Sequence, residues 1–147
     1  MLTELVVAFG IVAICVVIHA SGIVILGNWL LKRRPILARQ HSLVHSTLLL
    51  TMVFAIITLL HVGETGIWAL FYYWHKLFED YETSLYFSLG SYTTIGYGDV
   101  VLPQRWRLLG AIEGASGVLL SGLSTAFIFA ILNGLFQMRI KQQPQQY

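Results

Sequence analysis

The sequence predicts an all-α integral membrane protein with three membrane-spanning helices and one re-entrant helix followed by a loop. Its composition is the first observation: 56% of the 147 residues are hydrophobic and only 11% are charged, about half the charge of an ordinary soluble domain. The spacing of the charges is the second. Stretches of 27, 24 and 31 residues, at 5–31, 40–63 and 108–138, carry no charge except Glu113. Each exceeds the roughly 20 residues that a helix needs to cross a bilayer.

The first span is predicted from about Leu5 to Leu31 and ends at the basic cluster 32–35, Lys-Arg-Arg-Pro. Such a cluster next to a span marks the cytoplasmic side. The span and its loop form an N-terminal unit, residues 1–42, which we expect to be retained because no positive signal-peptide region precedes it. Cys15 is the single cysteine, so no intramolecular disulfide forms, and we expect it to be a small core or lipid-facing residue.

The second span begins near Leu43 and changes character at 61–66. Gly63 and Gly66 flank Glu64 there, and a bend and a straight tilted helix both fit this pattern. His61 and Glu64 are three residues apart, and we interpret them as a pair that hydrogen-bonds internally or holds a neighbouring helix. An aromatic cluster at 68–74 follows, as expected at a membrane interface.

Residues 79–99 are too polar for a spanning helix, yet they lie between two spans. Such a segment must be buried in protein or line water. We predict a short helix over Tyr81–Tyr92 with Asp80 as its N-cap. The third span is predicted from about Leu108 to Phe136, so residues 43–136 form a second unit and 137–147 a polar tail.

The charges also predict an orientation. With the basic cluster in the cytoplasm, three spans put the N-terminus outside and the C-terminus inside. Six of the nine Lys and Arg residues are then cytoplasmic, and all seven acids lie at or toward the outer side. We therefore expect a multi-pass cell-membrane protein, surrounded by lipid, whose outer face attracts cations.

Residues 93–99, Thr-Thr-Ile-Gly-Tyr-Gly-Asp, are the most specific pattern in the chain. A chance match to this pattern, with either Val or Ile at its third position, is expected on the order of once in 10⁷ to 10⁸ positions. Here the sequence resembles the potassium channel family, and over about 43–136 it is most similar to small bacterial two-helix pore modules, with an additional N-terminal transmembrane helix. The resemblance implies a potassium-selective channel subunit for passive permeation, not an enzyme, that assembles as a homotetramer around one pore axis.

By this resemblance the selectivity filter consists of Thr94, Ile95, Gly96, Tyr97 and Gly98, flanked by Thr93 and Asp99. Rings of backbone carbonyls replace the hydration shell of K⁺ in that family. They would come from Thr94, Ile95, Gly96 and Tyr97. The two glycines permit backbone conformations that are closed to residues with a Cβ. Permeant K⁺ is the only ligand implied; we expect no cofactor and no nucleic-acid partner.

One position departs from the family pattern. Some members hold a glutamate four residues before the filter threonine, as a partner of the aspartate, and here that position is Gly90. Asp99 must therefore have another partner. Tyr86 and Phe87 occupy positions where the family packs aromatic side chains around the filter.

The third span carries a small, partly polar stripe at Gly117, Ser121 and Thr125. This stripe is either a close packing seam between helices or the wall of a water-filled cavity. The spacing of Gly117 and Gly122 resembles the inner-helix glycines of the family, which favours a cavity and a hinge. Gly110 and Gly114 form a second pair, which we expect to pack against the short helix.

Three residues are candidate modulatory groups: Glu113, Glu64 and His61. Glu113 is expected about 9 Å below the outer interface, where a carboxylate is costly unless it is hydrogen-bonded, paired or protonated. We predict that it braces the short helix or filter and that its proton modulates conduction; the alternative is a glutamate that extends to the surface. The expected partners are Ser91, Tyr92 and Tyr97.

Two other function classes remain open from the sequence. Histidines on membrane helices hold haem in b-type cytochromes, and His41 with His45 has metal-ligand spacing, although no cysteine or carboxylate completes that site. A non-conducting or regulatory channel subunit would retain the same filter pattern. No span carries the repeated arginines of a voltage sensor.

Overall fold

A computed structural model describes residues 2–37 and 43–140. The elements are α1 (Leu2–Leu37), α2 (Leu43–Trp74), α3 (Tyr81–Tyr92), a 3-10 turn (Gln104–Trp106) and α4 (Arg107–Ile140). Helices α1, α2 and α4 are long and apolar enough to cross a membrane. The predicted order of three spans with one short helix before the third is confirmed, and no strand occurs in the described ranges.

The long helices differ from prediction mainly at their ends. Helix α1 continues through Pro35 to Leu37, and α4 continues past Phe136 to Ile140. A helix satisfies its own backbone hydrogen bonds, so leaving the hydrocarbon region does not oblige it to end. Helix α2 is continuous through Gly63 and Gly66. His41 and most of the predicted tail, 141–147, lie outside the described residues.

Helix α3 packs against both α2 and α4, and α1 packs against the same two long helices. A core cluster therefore draws on all four helices, and Cys15 is fully buried in it. Its buried members are Ala8, Ile11, Cys15, Trp68, Tyr72, Tyr92, Leu102, Leu109 and Leu120. A second cluster, built on Leu26, Val53 and Ile57, joins α1 to α2 and to Phe127 of α4. Helix α1 is thus packed against the other helices along much of its length.

Many large apolar side chains of the three long helices point away from this core. Phe9, Leu59 and Leu119 are 62%, 69% and 75% exposed. An apolar exterior of this kind suits contact with lipid chains. The three long apolar helices and this exterior indicate a multi-pass membrane protein.

The start of α1 and the segment after α3 lie at the same end of the bundle. The Arg105 guanidinium donates from Nε to Glu4 Oε1 at 2.9 Å. This contact agrees with a three-span arrangement, in which these two segments share one side of the membrane. The assignment of that side to the exterior stays a prediction from the basic residues.

Candidate functional site

Helix α3 begins at a side-chain cap. Asp80 has extended backbone angles, and its Oδ1 accepts a hydrogen bond from the Thr83 backbone N–H at 2.7 Å. That bond lowers the pKa of Asp80. Glu82 adds a further negative charge in the first turn, where the helix dipole is positive. The predicted cap and the predicted bounds of this helix are confirmed.

One face of α3 is polar and nevertheless buried. Ser84, Ser88 and Tyr92 recur every four residues, and all three are buried. The Ser88 Oγ lies 2.8 Å from the Thr65 carbonyl oxygen of α2. The sequence carried a signal for this face in the four-residue spacing, but the spacing alone does not identify the opposing groups.

Glu113 is the group on α4 that meets the middle of α3. Its side chain is fully buried, so the alternative of a glutamate extending to the surface is wrong. The Ser88 hydroxyl lies 2.5 Å from Oε1, and the Tyr72 hydroxyl donates to Oε2 at 2.7 Å. Glu113 thus braces α3, as predicted. Its partner on α3 is Ser88, which lies about one helical turn before the expected partners 91 and 92.

Three glycines let α4 approach the second half of α3 closely. A Cβ at Gly114 would lie 2.9 Å from the Ser91 carbonyl oxygen, and a Cβ at Gly117 would overlap the Tyr92 carbonyl oxygen. Gly110 faces the same helix. The expected packing role of Gly110 and Gly114 is confirmed. The interpretation of Gly117 as a cavity residue is wrong, since a neighbouring helix covers it.

The other small residues of the α4 stripe lie on a different face. Ser121, Gly122 and Thr125 are exposed in the protomer, and the Thr125 hydroxyl donates to the Ser121 carbonyl at 2.9 Å. Helix α4 is unbroken through all three. Their lining of a cavity and the hinge at Gly122 stay predictions.

The loop after α3 has left-handed backbone at every second residue. The φ angles are +61° at Thr94, +53° at Gly96 and +81° at Gly98. Glycine adopts such angles without steric cost, whereas a β-branched residue such as threonine does not. The Gly96 N–H donates to the Gly90 carbonyl at 3.0 Å, so the loop folds back on the end of α3. This alternation prevents the loop from continuing as a helix or strand.

Residues 93–99 are exposed in the protomer, with Ile95 and Tyr97 at 58% and 71%. Asp99 has a partner that the sequence did not identify: the Tyr86 hydroxyl donates to its Oδ2 at 2.8 Å. That bond raises the pKa of Tyr86. The rings of Tyr86 and Tyr97 stack, with centroids 6.3 Å apart. These contacts hold the loop beside α3.

A second polar group of several side chains joins all four helices at the end of α3 that leads into this loop. The Tyr92 hydroxyl donates to Glu64 Oε2, and His61 Nδ1 lies 3.3 Å from the same oxygen. His19 of α1 is fully buried, with Nδ1 2.8 Å from Glu64 Oε1. Both imidazole Nε2 atoms contact the Ser124 hydroxyl. The prediction that His61 and Glu64 hold a neighbouring helix is confirmed, whereas the sequence pattern did not single out His19 or Ser124.

The remaining described histidines are at the surface. His45 is exposed, and His75 is exposed with Nδ1 3.0 Å from the Phe71 carbonyl oxygen. His41, the other member of the metal-ligand pair considered with His45, lies outside the described residues.

Residues 60–133 match a family model described as ion channel. These 74 residues are half of the 147 and cover the end of α2, all of α3, the loop and most of α4. The chain belongs to the ion channel family. This ion channel carries α1 ahead of the matched segment, so His19 lies outside it and the other four members of the polar group lie within it. Comparison with curated proteins and with solved structures gave no match.

Proposed function

We propose that this ion channel is selective for potassium and that residues 94–98 form its selectivity filter. The observation that carries the proposal is left-handed backbone at Thr94, Gly96 and Gly98 within the Thr-Thr-Ile-Gly-Tyr-Gly-Asp sequence. A dehydrated K⁺ needs closely spaced carbonyl oxygens around one axis. A regular helix or strand of L-residues does not direct successive carbonyls to one axis, whereas an alternating backbone does.

The position of α3 supports the same function. Its C-terminal end, at Tyr92 and Thr93, leads directly into the loop. The last carbonyls of a helix carry the negative end of the helix dipole. A cation at the inner end of the loop is therefore stabilised by α3 as well as by the loop carbonyls.

The exposed loop also supports assembly as a homotetramer. Polar backbone in the membrane must be covered by protein or line water, and one protomer leaves 93–99 exposed. Four copies around an axis cover the outer side of each loop and leave the inner side to K⁺. The exposed hydroxyls of Ser121 and Thr125 then line the same axis below the filter.

Ion flux from reconstituted vesicles tests the selectivity. We expect K⁺ to pass at least about tenfold faster than Na⁺, which is about 1.4 kcal/mol of discrimination. Gly96→Ala should lose that selectivity, because a Cβ strains the backbone at φ +53°. The matched control is Gly10→Ala in α1, where a Cβ meets no atom within 4 Å. Equal K⁺ and Na⁺ flux through the wild type would refute the proposal.

The assembly has a separate test. We expect the mass of the particle, solubilised in mild detergent, to equal four chains of 16.5 kDa plus bound detergent. A monomer or dimer that still conducts after reconstitution would refute the tetramer.

A further inference from the structure

Five side chains from α1, α2, α3 and α4 form a closed ring of hydrogen-bond contacts. The five links run from Glu64 to Tyr92, His61, Ser124, His19 and back to Glu64. The last four links measure 2.8, 3.1, 3.0 and 2.8 Å. His19 and Glu64 are fully buried, and Tyr92 and Ser124 are 4% exposed. Bulk water therefore does not substitute for a missing link at these groups.

The ring contains more links than its neutral side chains have hydrogens. Tyr92, Ser124 and the two neutral imidazoles contribute one hydrogen each, four in all, and an ionised Glu64 contributes none. Five links need five hydrogens. With only four, lone pairs face each other across one link. Three links are buried and the two at His61, whose side chain is 20% exposed, are partly buried, so an unmade link is destabilising.

A single additional proton completes all five links. It can reside on Glu64, which then donates to Tyr92 while Tyr92 donates to His61. It can equally reside on His61 as an imidazolium that donates to both Tyr92 and Ser124, while Tyr92 donates to Glu64. The two arrangements differ only in where two hydrogens lie, and both leave the ring without net charge. The 3.3 Å contact of His61 Nδ1 with Glu64 suits the second arrangement.

We propose that this ring is a binding site for one proton and that the bound proton fastens the end of α3 to α1, α2 and α4. Tyr92 is the last residue of α3 and stands two positions before Thr94. Loss of the proton opens one link of the ring and loosens the support of the proposed filter. Proton binding is independent of the proposed potassium selectivity; only its effect on conduction rests on that function.

A metal ion is the other cation that two imidazoles and a carboxylate can hold, and ligand atoms of His19, His61 and Glu64 lie within 4.8 Å of one another. Ligands of a tetrahedral metal at bonds of about 2.0–2.2 Å stand roughly 3.3 Å apart. The 2.8 Å separation of His19 Nδ1 from Glu64 Oε1 is a direct hydrogen-bond distance. The geometry therefore favours a proton.

Two further titratable groups lie close to the ring on the packed helices: Cys15 of α1 and Glu113 of α4. Within the described ranges neither forms a hydrogen bond to a ring member. An ordinary thiol is uncharged near pH 7, and Glu113 is held by Tyr72 and Ser88. Neither group supplies the fifth hydrogen.

Glu64→Gln is the decisive variant, because an amide has the size of the carboxyl group and carries its own hydrogen. Its oxygen accepts from His19 and its NH₂ donates to Tyr92, so all five links close without a bound proton. The midpoint of thermal unfolding of the full-length oligomer is measured from about pH 5 to about pH 9, a range that brackets carboxyl and imidazole titration. Other titratable groups, including Glu113, contribute equally to the pH dependence of unfolding in the wild type and in Glu64→Gln.

We expect the folding equilibrium constant of the wild type to fall relative to Glu64→Gln as pH rises, by up to about tenfold per pH unit. The sign follows because the folded ring holds a proton that the unfolded chain releases at neutral pH. Ser124→Ala removes two links and leaves three, for which three neutral groups suffice, so its profile should parallel that of Glu64→Gln. Ser116→Ala, which removes a buried hydroxyl that bonds within α4, should keep the wild-type profile.

If the unfolding midpoints of the wild type and Glu64→Gln change in parallel with pH, the proposal is overturned. If Glu64→Gln does not assemble, the comparison of Ser124→Ala with Ser116→Ala decides in the same way. One equivalent of Zn²⁺ that stabilises the wild type but not Ser124→Ala or Glu64→Gln would also overturn it, in favour of a metal site; we expect Zn²⁺ and chelator to have no effect.

Flux measurements test the link to conduction separately. We expect K⁺ flux through the wild type to decrease relative to Glu64→Gln over the same pH rise. Parallel flux profiles together with diverging unfolding profiles would refute the coupling to the filter. A wild type that conducts no K⁺ would refute the proposed function, and the unfolding profiles would still decide proton binding.

Discussion

Glu64 and Glu113 are both fully buried and both hydrogen-bond to α3, yet their surroundings differ. Glu113 contacts the middle of α3, and within the described residues its side chain bonds only to hydroxyl groups. Glu64 contacts the end of α3 and has two imidazoles in addition to a hydroxyl. The same side chain, fully buried in both places, is therefore accommodated in two chemically distinct ways.

At Glu113 the contacts indicate a neutral carboxylic acid. The hydrogen of Ser88 faces two acceptors, the Thr65 carbonyl and Glu113 Oε1. A carbonyl oxygen does not donate, so all contacts are satisfied when Ser88 donates to Thr65 and Glu113 donates to Ser88. No basic side chain bonds to Glu113 among the described residues. Glu113 is neutralised by its own proton, whereas Glu64 shares one with its neighbours.

The largest effect is expected from Glu113→Ala. This change leaves a cavity and removes the acceptor of the buried Tyr72 hydroxyl, so we expect a loss of about 2–4 kcal/mol in the free energy of unfolding. Glu113→Gln should stay within about 1 kcal/mol of the wild type, because a neutral amide reproduces the contacts of a carboxylic acid. Thermal or denaturant unfolding of the protein measures both.

If Glu113→Gln is as unstable as Glu113→Ala, the group is an ionised carboxylate and the contrast with Glu64 fails. The same variant tests whether the Glu113 proton modulates conduction. We expect wild-type flux to decrease at alkaline pH by more than that of Glu113→Gln, and identical pH profiles would make Glu113 a structural brace alone.

An intermediate effect is expected from a double-mutant cycle between the two sites. His19→Phe and Glu64→Gln alter one ring, so their stability effects should be coupled by about 0.5–3 kcal/mol. His19→Phe and Glu113→Gln share no hydrogen-bond partner and should add within about 0.5 kcal/mol. Strong coupling in the second pair would show that the two buried carboxyl groups form one network.

The smallest effect is expected at Asp80, the exposed carboxylate that caps α3. The bond from Thr83 lowers the pKa of Asp80 below 3.8 in the folded protein. Its stabilisation is therefore present above that pH and lost as pH falls through the lowered pKa. Asp80→Asn also caps a helix, so we expect a small change near neutral pH and a shallower loss of stability in acid. An unchanged acid profile would refute the contribution of Asp80.

The sequence predicted the helices and the loop, because charge spacing, the Asp80 cap and the rarity of the 93–99 pattern are local properties of the chain. It predicted that Gly110, Gly114 and Glu113 contact the short helix, but not which individual side chains the two buried glutamates bond to. His19 lies 45 residues from Glu64 and 105 from Ser124, and no local pattern connects them. The four-residue spacing identifies a helix face but not the helix that covers it.

Gly117 illustrates the same limit within one helix. A glycine in a small-residue stripe suits close packing and an open cavity equally well. Only the position of the Tyr92 carbonyl, which depends on how α3 is braced by α2 and α4, decides for packing. The sequence likewise does not identify the partner of Asp99, because only the fold brings the Tyr86 hydroxyl beside the loop.

The burial of His19 has a consequence for how the protein is made. Helix α1 precedes α2 and α4 in the chain, so His19 reaches the membrane ahead of its partners Glu64 and Ser124. A polar side chain in the middle of an apolar helix favours early association with the next helix that offers a partner. We therefore expect α1 and α2 to pair before α3 and α4 complete the bundle.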